Sequence, residues 1–373
     1  MNILIDINHP AHVHLLRNVY AKLVADNHQI HVVVKDIPVA MKLMDLYHIP
    51  YLNIGHKHDS ILKKGLDQLV YDMKILRLQW KNRYDIAVGT SINLAHVSRV
   101  SRLVSIICDD DDDAVEPLFA KYAHPFADVI LSPQDTPRKS KKVIYYPAYH
   151  ELSYLHPNEL TPDPSVLDDA GIKYKIGKDG QIKCEPFFIM RFNAFKAHHD
   201  VGVVGLTIEN KRKLIEMLSK KGKVFITTER NIDEEFLPYQ LKVSPEKAHS
   251  LIYYATMLIG DSQTMTSEAA VLGTPAIRCN TFVGRIHYLE EEEHRYNLTY
   301  GFRPENSEAM FAKIEELLAM PNLKQEWAKR REQMLSEKID YAKFLTWFIE
   351  NYPQSAKEAK EQKDNIKFWE KFK

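Results

Sequence analysis

The stretch Gly260-Asp-Ser-Gln-Thr-Met-Thr-Ser-Glu-Ala-Ala-Val-Leu-Gly-Thr-Pro275 decides how the chain folds. Met257-Leu-Ile before it is a short apolar run of strand character. Thr264–Leu272 has the length of a short helix and is closed by Gly273, and Pro275-Ala-Ile-Arg after it resumes a strand. A strand that hands over to a helix through small hydroxyl residues leaves backbone N–H groups unpaired at the positive end of the helix dipole, which makes the turn a candidate anion site. Ser262 and Thr264 are the side chains placed to add hydrogen bonds. Glu268 follows Thr264 by one helical turn on the same face, about 6 Å further along the axis. A carboxylate at that offset suits the hydroxyls of a ribose whose diphosphate sits at the turn. The same residues also have a plain structural use, Ser and Thr as caps and Glu268 as a complement to the dipole, and the local sequence leaves both open.

The alternation extends in both directions. Upstream, Phe187-Phe-Ile-Met-Arg, a helix near 208–221 and Lys223–Thr228 form one unit, and Ser244 is expected to cap a further helix with Pro245 in its first turn. Ser244 is counted with the nucleotide-binding candidates. Towards the amino terminus, strands at 3–7, 31–35, 51–54, 85–89, 103–108 and 128–132 are separated by helix-compatible segments, the pattern of a doubly wound parallel sheet. Pro147, Pro157, Pro162 and Pro164 punctuate a stretch of neither period, which reads as a linker. The expected division is therefore a Rossmann-like domain at 1–155, a second at 156–345, and a charged helical tail at 346–373.

Composition excludes several classes. With 373 residues, 45% of them hydrophobic, the chain holds enough core for two domains. Fifty basic and fifty acidic residues cancel, so no general field draws in nucleic acid. Cys108, Cys184 and Cys279 form no CxxC pair, which argues against a zinc knuckle or a disulfide framework. The start lacks a signal-like n-region, and no apolar run is long enough to span a bilayer. A cytoplasmic location is expected. Neither GxGxxG nor GxxxxGK[ST] occurs, so any nucleotide site is of another kind.

Three further stretches carry candidate chemistry. Asn8-His9-Pro10-Ala11-His12 follows the first strand, at the edge where open α/β sheets bind ligands. There His12 is the first candidate for a base that deprotonates an acceptor hydroxyl, His9 the second, and Asp6 a candidate orienting carboxylate. Asp109 to Asp113 are expected to be solvated by mutual repulsion, with a divalent cation site as the alternative. Arg191, with Lys196, His198, His199 and Asp200, forms a loop suited to clamping phosphate. The basic segment 61–83, with Lys63, Lys64, Lys74, Arg77, Lys81 and Arg83, reads as a solvated helix face, contact with an anionic membrane being the alternative.

The Asp-Ser, Glu-Ala and Leu-Gly-x-Pro elements of the 260–275 stretch resemble the donor-site motif of GT-B nucleotide-sugar enzymes, in register with the non-hydrolysing UDP-N-acetylglucosamine 2-epimerases. Ala11-His12-Val13 resembles the Gly-His-Val loop of the N-acetylglucosaminyl transferase that completes the lipid-linked peptidoglycan precursor. Phe126–Pro133, Tyr149–Pro157, Arg191-Phe with His199-Asp200, and the Gly260 motif together resemble a prokaryotic family, domain of unknown function 354, over residues 1 to about 352. The resemblance implies an α/β, GT-B-like fold of two Rossmann-like domains facing a central cleft. It also implies that the second domain holds a nucleoside diphosphate sugar, a UDP-sugar above all, through Ser262, Gln263, Thr264 and Glu268. The first would hold the acceptor. Apart from the resemblance, the expected partners are a glycan or lipid-linked acceptor and, peripherally, a membrane, and the transferase chemistry expected here requires neither cofactor nor metal.

Departures from the epimerase pattern matter equally. Gln263-Thr264 stands where the epimerase has Gly-Gly, Val88-Gly-Thr-Ser91 where it has His-Gly-Asp-Thr, and Met190-Arg-Phe-Asn-Ala-Phe-Lys where it has its Thr-x-His-Arg-Arg-Glu-Asn segment. The leading expectation is a glycosyltransferase of surface polysaccharide or glycolipid assembly. The alternatives are a nucleotide-sugar 2-epimerase and a non-catalytic sugar-nucleotide binding protein.

Overall fold

A computed structural model describes residues 1–55, 61–134, 136–192, 205–228 and 232–373. The chain divides into two units, Met1–Glu159 with Lys338–Lys373, and Leu160–Glu337.

The first unit is built on seven strands: β1 (Asn2–Ile7), β2 (Gln29–Val34), β3 (Leu52–Asn53), β4 (Ile86–Gly89), β5 (Val104–Cys108), β6 (Val129–Pro133) and β7 (Val143–Tyr146). They pair in the order β3-β2-β1-β4-β5-β6-β7, all parallel. Strands covered on both faces read as continuous apolar runs, and Ile3, Leu4, Ile5, Ile106 and Ile107 are indeed buried. Helices α1 (Pro10–Ala25), α2 (Pro38–Leu46), α3 (Ile61–Asn82), α4 (Ile92–Arg99) and α5 (Pro117–Tyr122) connect successive strands up to β6. Proline opens α1, α2 and α5, where its missing N–H costs nothing.

The second unit starts with a short helix, α6 (Ser165–Asp169), and an antiparallel hairpin, β8 (Tyr174–Ile176) with β9 (Ile182–Cys184). Its sheet has five parallel strands, β10 (Phe187–Phe192), β11 (Lys223–Thr228), β12 (Met257–Gly260), β13 (Ala276–Cys279) and β14 (Thr299–Phe302), in the order β11-β10-β12-β13-β14. Helices α7 (Ile208–Ser219), α8 (Ala248–Tyr254), α9 (Gln263–Leu272), α10 (His287–His294), α11 (Ser307–Leu318) and α12 (Leu323–Glu337) complete it. Gly260 is required here. A Cβ on it would lie 2.2 Å from the Arg191 carbonyl oxygen of the neighbouring strand.

The chain then returns to the first unit as α13 (Tyr341–Glu350), α14 (Gln354–Glu361) and α15 (Ile366–Glu370). The linker pattern places the first boundary at 155 and sets 346–373 apart as a tail. The structure puts the boundary at Glu159, and residues from Lys338 onward join the first unit because Tyr341, Phe344, Phe348, Trp369 and Phe372 are buried. Tyr341 lies against Tyr146 with ring centroids 4.4 Å apart, and the Ile339 N–H donates to the Pro147 carbonyl at 3.0 Å.

Candidate functional site

Open α/β sheets bind ligands beyond the carboxyl ends of their strands, where the strand order reverses direction. The first sheet reverses between β1 and β4, the second between β10 and β12. Asn8 to His12 follow β1, and Thr90 and Ser91 follow β4. Arg191 is the last residue but one of β10, and Asp261 to Thr264 follow β12. The sequence candidates thus stand at the switch points of their own sheets.

In the second unit, Ser262 is the N-cap of α9 and its Oγ accepts the Met265 N–H at 3.3 Å. Helix geometry gives the Gln263 and Thr264 amides no intrahelical acceptor, and both residues are half-buried. No acid lies in the first turn of α9, so the positive end of the dipole is not neutralised within the helix. The turn is held from beneath: Asp261 N–H donates to the Arg191 carbonyl at 3.1 Å, Asn280 Nδ2 donates to the Asp261 carbonyl at 2.8 Å, and Thr266 Oγ1 donates to the Ser262 carbonyl at 2.6 Å. Arg191, half-buried, directs Nη1 to Thr227 Oγ1 at 3.2 Å. The strands thereby set Arg191 and the start of α9 side by side, since Arg191 pairs with Gly260 in register.

Glu268 is buried one turn along α9, and one of its oxygens, Oε1, lies 3.0 Å from His249 Nε2 of α8. This partner has no signal in the sequence, since nothing in the spacing of residues 249 and 268 marks a contact. Ser244 departs from its expected capping role. It precedes a three-residue 3-10 turn, Pro245–Lys247, and its hydroxyl donates to the Glu246 carboxylate, because the helical hydrogen bonding of α8 begins only at Ala248. Lys196, His198, His199 and Asp200 lie outside the described residues, as do the side chains of Lys63 and Lys64.

In the first unit, His9 is exposed and caps α1, its Nδ1 accepting the Ala11 N–H at 3.2 Å. His12 lies half-buried in the first turn of α1, and its Nδ1 accepts the Asn8 N–H at 3.3 Å. An amide can only donate, so the Nδ1 lone pair is in use and the ring proton sits on Nε2. Burial pushes the His12 pKa down to about 3, helped by His9 and His150 and opposed by Asp110. His12 therefore presents a hydrogen-bond donor at neutral pH, the opposite polarity to the base expected from sequence. Asp6 is fully buried and accepts the Ser91 hydroxyl at 2.5 Å; burial raises its pKa, against Lys35 and the hydrogen bonds from Ser91 and Asn8. It holds Ser91 at the start of α4, and the carboxylate whose charge acts on His12 is Asp110.

Asp110 belongs to the run expected to be solvated, yet none of its five carboxylates is fully exposed. Arg138, its side chain 1% exposed, reaches Asp109 Oδ2 and Asp113 Oδ1, both at 2.9 Å, and His124 Nε2 lies 2.7 Å from Asp109 Oδ2. Asp109, Asp113 and His124 are close enough to share a cation, but the guanidinium already stands among the two carboxylates and supplies the positive charge. Asp110 faces the other way, with Oδ2 3.0 Å from His150 Nδ1. Burial would raise its pKa, but His150, a backbone hydrogen bond and the Arg138 charge together hold the carboxyl below its ordinary value. Burial and the charges of Asp110 and Asp109 push the neighbouring Asp111 well above it.

The model of a protein family described as "Protein of unknown function (DUF354)" matches residues 1–298. No curated protein matches by sequence. Solved structures do match. A Staphylococcus aureus MnaA structure with UDP aligns with TM-score 0.68 at 10% identity, covering 95% of this chain and 97% of that one. UDP-GlcNAc 2-epimerase from Neisseria meningitidis bound to UDP-GlcNAc gives 0.61 at 11%, covering 94% and 98%. The glycosyltransferase VinC with dTDP gives 0.58 at 10%, covering 96% and 100%. At these identities the likeness establishes the fold, which is that of the GT-B glycosyltransferases and the UDP-GlcNAc 2-epimerases.

Proposed function

The chain belongs to the DUF354 family, and from that premise we propose that it is a glycosyltransferase using a nucleoside diphosphate sugar, with UDP as the leading nucleotide. The observation that carries this reading is the start of α9. Free first-turn amides at Gln263 and Thr264 stand beside Arg191 at a switch point, with the buried Glu268 one turn along. Amides and guanidinium would receive the diphosphate and stabilise it as it leaves. The Glu268 carboxylate, steadied by His249, would accept from the ribose hydroxyls. Ser262 acts through the shape of the turn, Ser244 through the loop that leads into α8.

In the first unit the acceptor hydroxyl would be oriented by His12 Nε2–H and give its proton to Asp110, whose side chain is 24% exposed and is aligned by His150. The acceptor class is a surface glycan or a lipid-linked sugar. A nucleotide-sugar 2-epimerase is the second reading, supported by the likeness of the fold to UDP-GlcNAc 2-epimerases.

Thermal-shift measurements with nucleoside diphosphates and their sugars test the common premise, since a ligand bound by the folded state alone raises the melting temperature. The expected result is a shift with a nucleoside diphosphate that is lost in Arg191→Ala; no shift with any of them would end both enzyme readings. Incubation with UDP-sugars alone separates the two. Appearance of a C2 epimer without acceptor would replace the transferase by the epimerase.

A further inference from the structure

The 22-residue helix α3 carries an outer face that the sugar chemistry does not use. Its inner face is accounted for. Tyr71, Ile75 and Gln79 are buried, Asp72 accepts from Asn93 Nδ2 at 2.7 Å and pairs with His96 at 2.9 Å, and Lys74 donates to the Ile54 carbonyl at 2.6 Å. Among its described positions, those exposed are Leu69, Val70, Met73, Arg77, Trp80 and Lys81. Leu69 is 62% exposed, Val70 51%, Met73 47% and Trp80 64%. The face thus combines four large apolar groups with two cations over about 18 Å and contains no acid among these positions. A merely solvated face, as expected from the sequence, has no use for four such apolar side chains.

We propose that this outer face of α3 docks on the surface of an anionic lipid bilayer, with Leu69, Val70, Met73 and Trp80 in the acyl boundary and Arg77 and Lys81 among the headgroups. Tryptophan is favoured at that boundary, where its ring is apolar and its N–H stays wet. Lysine and arginine stems lie along apolar surface while their heads reach the phosphates. Charge selects the occupant. A second copy of the chain docking by the same face about a two-fold axis would bury two cations from each copy in an interface to which the face brings no acid, whereas an anionic bilayer answers every charge on the face. The helix lies on the membrane and does not cross it; among the described residues no helix is long and apolar enough to span one.

The inference goes beyond the proposed reaction and does not depend on it. Co-sedimentation of the full chain with vesicles tests it, phosphatidylcholine alone against phosphatidylcholine mixed with phosphatidylglycerol. Binding is expected to the mixed vesicles only, and to weaken with salt. Met73→Glu/Trp80→Glu and Arg77→Glu/Lys81→Glu should each reduce it by about tenfold or more. Of the four tryptophans Trp80 alone is exposed, so vesicle binding should shift its emission to the blue, and Trp80→Phe should bind while losing that shift. The thermal shift with nucleoside diphosphate should be unchanged in all these variants, which separates failure here from failure of the sugar-nucleotide reading. Equal binding to both vesicle types, no binding to either, or variants that bind like the parent would overturn the proposal. Concentration-dependent self-association abolished by Met73→Glu/Trp80→Glu would overturn it too, in favour of a protein interface.

Discussion

Single side chains decide the two ends of the proposed reaction. Replacing Glu268 by alanine removes a charged acceptor and leaves His249 buried without it, so nucleotide affinity should fall by about 1–3 kcal/mol in calorimetry, with folding retained. Asp110→Asn keeps the shape after β5 but loses the proton acceptor, and transfer should drop by about 10²–10⁴-fold while nucleotide affinity stays. An unchanged rate would return the base to His12. His12 also makes a prediction in pH. Its folded pKa of about 3 lies below its ordinary value, so the fold favours the neutral ring, and unfolding takes up a proton once pH drops below about 6.5. Stability should therefore decline from that point towards pH 3, by up to about 1.4 kcal/mol per pH unit from this group. Urea midpoints measured against pH should show a shallower decline in His12→Asn. How far the site was legible follows from the same residues. The positions of Ser262 and Glu268 were readable because both lie on one local element whose geometry is fixed by spacing. His249, His150 and Arg138 were not, because their carboxylate partners lie 19, 40 and 29 residues away and only the folded sheet brings them together. The polarity of His12 depended on a backbone amide four residues back, which the letters cannot show.

Among the elements, strands covered on both faces are legible as apolar runs, and α1, α2 and α5 open at a proline. Gly273 closes α9 at φ 75°, as its place after Leu272 predicted. The sequence expectation omits four strands, the edge strands β7 and β14 and the hairpin β8 and β9: β7 is Val143-Ile-Tyr-Tyr146 behind a lysine-rich loop, β14 contains Gly301, and β8 and β9 have three residues each. The acidic run was misread for a related reason. Repulsion among five carboxylates predicts solvation only if no cation is supplied from elsewhere, and Arg138 supplies one. The junction of β10 and β12 is the element on which the nucleotide site stands. Gly260→Ala would force a methyl group against the Arg191 carbonyl, backbone against backbone, and should cost about 1–3 kcal/mol in urea unfolding. It should also weaken nucleotide binding, because Arg191 and the Asp261 turn shift together. Ser262→Ala gives the milder comparison, loss of one cap at about 1 kcal/mol.

At the scale of the whole molecule, the chain leaves the first unit at Glu159 and comes back to it at Lys338, so the second unit is an insertion and the last 36 residues belong to the fold of the first. The sequence expectation makes 346–373 a tail because the charge is high after Pro353, and leaves 338–345 in the second domain. The side chains that matter, Tyr341, Phe344, Phe348, Trp369 and Phe372, are sparse there and meet only when α13 and α15 are both in place. Each such side chain contributes about 1.5–3 kcal/mol when buried. Together they rival the roughly 5–15 kcal/mol that holds a domain folded. A chain ending at Glu337 should therefore lose the cooperative melting of the first unit. Residues Leu160–Glu337 are continuous and contain Arg191, Ser262, Glu268 and His249, so the same truncation should leave a second transition that still rises with nucleoside diphosphate. Calorimetric scans with and without the nucleotide read both outcomes at once. Two intact transitions in the truncated chain would mean that the aromatic cluster decorates the first unit without supporting it, and loss of both would mean that the inserted unit does not fold by itself.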